Sequence, residues 1–102
     1  MQKGLHHIIF ISFKSETPES ARDEIYTRYQ TLAEDCGGEN AGILFWSVQK
    51  NLDQRKNIHL VEYAMFRDKD ALENFKKHPQ HVELVNDFLV HHADWKVGDF
   101  LI

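Results

Sequence analysis

The alternation of side chains along residues 5–13 sets the frame for the whole chain. Extended, this stretch puts Leu5, His7, Ile9, Ile11 and Phe13 on one face and His6, Ile8, Phe10 and Ser12 on the other. Both faces are largely apolar, whereas a sheet in a small soluble domain usually leaves one face to water. Helices are therefore expected to cover one face, and a second copy of the chain is the simplest cover for the other.

A helix is expected next. Thr17 supplies an N-cap and Pro18 a first helical residue, with Glu19, Asp23 and Glu24 favouring the positive end of the helix dipole. Ala21, Ile25, Tyr29, Leu32 and Cys36 recur at helical spacing, and Gly37-Gly38 ends the element. From Gly42 to Gln49, branched and aromatic residues between turn signals predict a strand. A polar loop from Lys50 to Asn57 then leads into a third strand, Ile58 to Phe66, completing a hairpin with its neighbour. There His59, Val61, Tyr63 and Met65 share one face and Leu60, Glu62, Ala64 and Phe66 the other, and His59 is assigned the helix-facing parity along with His7.

Asp68 is placed to cap a helix over Lys69–Lys77 with Leu72 and Phe75 inward, and Pro79 breaks it before a second helical segment. That segment carries Val82, Val85, Phe88 and Leu89 on its inner stripe, and Trp95 to Ile102 closes the chain as a strand. The order is β-α-β-β-α-β: an α+β, ferredoxin-like protomer with a four-stranded antiparallel sheet and helices on one face. One domain spans residues 1–102. Ile8, Phe10 and Leu60 are assigned to the bare face, where two sheets would pack into a homodimer.

Composition changes this picture little. Twelve basic residues against sixteen acidic ones give a net charge of −4, and the basic residues form no stripe, which argues against nucleic acid as a partner. No stretch has the length of a membrane span, and the N-terminus lacks a secretory signal, so the expected location is the cytoplasm. The single cysteine, Cys36, lies on an apolar helical stripe, where a small buried hydrophobe is the common reading and a nucleophile the rare one.

Seven histidines invite a metal, but neighbouring histidines on a strand point to opposite faces and His78 and His81 are separated by Pro79. No third ligand appears at a usual spacing, and neither a metal nor an organic cofactor is expected, although a carbonyl-bound cation near the end of the first helix would leave little trace in sequence. His81 is the candidate base, since an imidazole titrates near neutrality. Satisfying a buried hydrogen bond is the structural alternative for His81, and His78 is assigned to capping the helix break. His7 and His59 fall toward opposite ends of an antiparallel pair, too far apart to share one small substrate group.

Three segments together resemble the stress-responsive dimeric α/β-barrel (Dabb) family: residues 7–14 its first strand, residues 59–63 its third, and residues 71–81, ending His78-Pro79-Gln80-His81, its most recognisable element. Asp99-Phe100 is similar to the family's usual ending. The resemblance implies a protomer whose dimer closes into a barrel, with a pocket between sheet and helices. It also implies an Asp99 that orients His81. In a plant polyketide cyclase of similar fold, which needs no organic cofactor, the histidine corresponding to His81 is the base and a tyrosine assists it. Phe75 occupies that tyrosine's place here, and a phenyl ring donates no hydrogen bond, so the cyclase reaction is not carried over.

The resulting expectation is a homodimer that binds a small, largely apolar organic ligand, with His81 and Asp99 as catalytic candidates for general acid/base chemistry of aldol or lyase type. Its pocket would be lined by His7, Ile9, Ile11, Tyr29, His59, Val61, Tyr63, Phe75, His78 and Phe88, with Tyr29 or Tyr63 supplying a hydroxyl. The alternative is a non-catalytic stress-response or scaffold protein in which these residues fill the core. An open pocket of roughly 300 Å³ or more favours the first. A cofactor-free oxygenase on the related barrel fits the shape but not the His-Pro-x-His element.

Overall fold

The computed structural model, which describes residues 3–102, contains one sheet in the order β2-β3-β1-β4 with every neighbouring pair antiparallel. Its strands are β1 (Leu5–Phe13), β2 (Ile43–Lys50), β3 (Leu60–Phe66) and β4 (Ala93–Leu101), and its helices α1 (Glu19–Asp35), α2 (Lys69–Lys77) and α3 (Pro79–Val85). This is the ferredoxin-like β-α-β-β-α-β order, the second helix being divided at Pro79.

Register decides which side chains meet the helices, because directly paired residues of antiparallel strands share a face. His7 pairs with Ala64 and Asp99, and Ile9 with Glu62 and Val97. The helix-covered face of β3 therefore carries Leu60, Glu62, Ala64 and Phe66, all buried, while Val61 and Tyr63 lie on the opposite face beside Phe10 and Ile8. This corrects the expected pocket roles of Val61 and Tyr63, and it moves Leu60 from the bare face into the core, where it is 2% exposed. Alternation in β3 is apolar on both sides, so its pattern could not say which side faces in.

Helix α1 starts one residue later than expected. Pro18 takes the N-cap position without a side-chain bond, and the Thr17 hydroxyl instead donates to the His92 carbonyl at 2.8 Å, tying the helix entrance to the start of β4. Ile25, Tyr29, Leu32 and Cys36 are buried along the stripe, each large apolar side chain contributing about 1.5–3 kcal/mol. Gly37 ends the helix at φ 105°, where a Cβ would stand 2.9 Å from the Ala41 Cβ, so both conformation and space favour glycine.

At α2, an Asp68 carboxylate oxygen accepts the Ala71 N–H at 2.9 Å. Asp68→Ala should cost about 1 kcal/mol, measurable as a lower urea midpoint with an unchanged slope. Helix α3 ends at Val85, short of the expected stripe. Phe88 lies beyond it, its ring edge against His92 and the Arg28 guanidinium over its face.

The opposite sheet face exposes Phe10, Phe45 and Phe100 by 42–48%. His6 lies among these aromatics, stacked on Phe100 with ring centres 5.0 Å apart and joined to the Tyr63 hydroxyl at 2.7 Å.

Candidate functional site

The most unusual electrostatics of the fold lie at the start of β1. Because β1 and β4 pair His7 with Asp99, His7 Nδ1 comes within 2.5 Å of an Asp99 carboxylate oxygen. Glu62, on the same face of β3, brings Oε2 to 3.2 Å from His7 Nε2, at ion-pair distance. The His7 and Glu62 side chains are 4% and 1% exposed, and Asp99 is 33% exposed. Burial is the largest single effect on His7 and would lower its pKa, but Glu62 and Asp99 together outweigh it and raise the pKa above 6.5. Burial raises the pKa of Glu62, opposed by His7. His7 thus stands between two carboxylates, Glu62 on one neighbouring strand and Asp99 on the other.

His81 enters from the first turn of α3. Its ring stands edge-on to Phe75, with centroids 4.7 Å apart, and among the described residues its buried Nδ1 has no hydrogen-bond partner. Burial lowers its pKa to about 4, against a hydrogen bond to the Lys76 main chain, with His7, Lys76 and His78 adding repulsion. The ring is therefore neutral at pH 7. The carboxylate assigned to it from sequence, Asp99, is bonded to His7 instead, because register rather than proximity to α3 fixes where Asp99 points.

Between these two histidines lies a cavity of about 470 Å³. Of the residues singled out from sequence, His7, Ile9, Tyr29, Phe75, His81 and Asp99 line it together. Ile11 is fully buried in the core, and Val61 and Tyr63 face the other way. His59 sits at the far end of β1, where its Nδ1 accepts the Phe13 N–H at 2.9 Å. His78 caps α3, accepting the Gln80 N–H on Nδ1 at 3.1 Å, and neither it nor Phe88 lines the cavity. Of the two candidate hydroxyls only Tyr29 is on its wall, its pKa raised by burial and then by Glu62.

Sequence reasoning missed Lys76, Val85, Asn86, Trp95 and Val97 on the lining and Glu62 behind His7. Two signals were present. Trp95 and Val97 alternate with Asp99 along one strand face, and Glu62 is the lone charge in the apolar strand Leu60–Phe66, a position where a carboxylate needs a partner. Among the described residues, no group of three or more His, Cys, Asp or Glu side chains is placed to hold a metal ion, and no helix is long and apolar enough to cross a membrane.

His81 links stability to pH in a definite direction. Its folded pKa is depressed from 6.5, so its contribution is complete above about pH 6.5 and is lost as pH falls toward about 4. His7, with a raised pKa, has the opposite sign: its contribution is complete below 6.5 and fades as pH rises through the folded value. His81→Asn should therefore lose about 1–2 kcal/mol less than the wild type between pH 7 and pH 4.5, a figure discounted for partial exposure. Urea unfolding of both proteins at the two pH values measures the difference.

The profile of the Stress responsive A/B Barrel Domain family matches residues 5–102. The chain belongs to that family, Dabb. A search of curated proteins finds no match. Among solved structures, the Dabb chain is similar to a dimeric protein of unknown function and ferredoxin-like fold from Bacteroides fragilis, with TM-score 0.80, 17% identity and coverage of 99% of this chain and 98% of that one. It is similar to the hydroxynitrile lyase of Passiflora edulis, with TM-score 0.78, 19% identity and coverage of 98% and 94%. A cofactor-independent oxygenase from Streptomyces nogalater gives TM-score 0.74 at 13% identity, covering 99% and 94%. At these identities the likeness is one of fold.

Proposed function

We propose that the Dabb cavity binds a small, largely apolar organic molecule bearing a hydroxyl or carbonyl, and that His81 acts on it as a general base without a cofactor. The observation that carries this reading is the His81 ring, held neutral by burial on the wall of an open cavity of about 470 Å³. The cavity size favours ligand binding over a filled scaffold core.

Aromatic cyanohydrins are the first substrates to try, supported by the lyase among the fold relatives. His81 would take the hydroxyl proton as the carbon–carbon bond to cyanide breaks and the carbonyl forms. The departing cyanide takes that same proton from the His81 imidazolium, which restores the base, so aldehyde and hydrogen cyanide leave in equal amounts. Tyr29 lines the same cavity, and its hydroxyl would donate to the substrate oxygen.

We further propose a homodimer through the exposed face of Phe10, Phe45 and Phe100, supported by the dimeric Bacteroides relative. Sedimentation should give twice the 12.0 kDa chain mass; a stable monomer at micromolar concentration contradicts it. Ligand binding is tested by thermal shift with aromatic cyanohydrins and β-dicarbonyl compounds. Stabilisation in both wild type and His81→Ala supports the site, and none across the panel removes it.

A further inference from the structure

A second cavity, of about 440 Å³, lies at the other end of the helix-covered face, between the first half of α1 and the β2–β3 connection. It shares no lining residue with the His81 cavity. His7 and Phe13, one on each lining, are six positions apart on β1, about 20 Å along an extended strand.

Its chemistry differs from that of the first. Arg22 is held in place from three sides: its Nε and one terminal nitrogen donate to the Thr17 and Lys14 carbonyls at 3.2 and 3.3 Å, and its guanidinium lies 5.2 Å from the centre of the Phe13 ring. Lys50 Nζ lies 5.0 Å from the centre of the Tyr26 ring. Among the described residues neither cation is in an ion pair, although the chain is acidic overall. His59 completes the set. Its Nδ1 is occupied as the acceptor of the Phe13 N–H, so in the neutral ring Nε2 must carry the hydrogen and act as a donor. Burial and then the nearby Arg22 lower the His59 pKa, which favours the neutral ring.

We propose that this cavity is a second ligand site, for a small monocarboxylate with a flat apolar body, held by Arg22, Lys50 and the His59 N–H between the Phe13 and Tyr26 rings. A guanidinium together with an ammonium on one lining suits a carboxylate. Glu19 and Asp23 share the lining, and their charge works against a doubly charged anion, so inorganic phosphate should bind more weakly than a monocarboxylate.

Benzoate and inorganic phosphate, titrated separately into the full chain and followed by amide and imidazole NMR, test the site. Benzoate should bind saturably, moving the Phe13 amide and His59 ring signals. Lys50→Gln should weaken it about tenfold. Arg22→Gln should abolish it, and because that change also removes bonds to Lys14 and Thr17, the exposed Lys50 position keeps the test independent of folding. His81→Ala should leave benzoate affinity unchanged, which separates this site from the proposed base. The inference is overturned by the absence of saturable binding, by shifts confined to the His7 and His81 signals, by full affinity in Lys50→Gln, or by phosphate binding as tightly as benzoate.

Discussion

His7→Ala should lower folding stability by about 3–5 kcal/mol, the usual cost of removing one member of a buried charge cluster. The loss has a specific source. Glu62, 1% exposed, would keep its carboxylate with its nearest opposite partner gone and water excluded. The deficit should shrink in acid, since burial already raises the Glu62 pKa and a neutral carboxyl is tolerated: a raised folded pKa means stability gained as pH falls. Converting both positions to leucine should recover much of the loss, because apolar replacement of a whole buried pair is often neutral or better. Urea unfolding followed by Trp46 and Trp95 fluorescence measures all three proteins. A His7→Ala cost under about 1 kcal/mol would mean that water or a rearranged Glu62 already satisfies the site.

The other large effect is on chemistry. His81→Ala should reduce turnover about 10²–10⁴-fold, the usual contribution of a positioned general base, while ligand affinity changes far less because Ile9, Phe75, Val85, Trp95 and Val97 still form the wall. The fall should therefore appear in kcat rather than KM. With a pKa of about 4, wild-type His81 is in its base form throughout the neutral range, so activity should hold from pH 8 down to about pH 5 and fail only below. Tyr29→Phe should cost less, since it removes a single hydrogen bond to the substrate oxygen while the ring stays in the core.

The fold was almost fully legible in the sequence. Periodicity in α1, the glycines after it, Asp68 before α2 and Pro79 within the broken helix each act through local physics that one chain segment suffices to express. The site was legible only in part, because its geometry depends on register between distant strands. Reading β3 with one face or the other inward exchanges Tyr63 for Glu62, and the local pattern allows either. The same register gives Asp99 to His7 rather than His81. The lone carboxylate within an apolar strand was the one sequence cue to this correction.

Aldehyde release from an aromatic cyanohydrin, compared between wild type and His81→Ala at pH 6, measures the proposed base most directly. Turnover in the wild type that falls at least a hundredfold in a folded His81→Ala protein, with cyanide formed in step with aldehyde, is the expected result. Equal rates in the two proteins, or no wild-type turnover of the cyanohydrins and β-dicarbonyl compounds that bind, would contradict it.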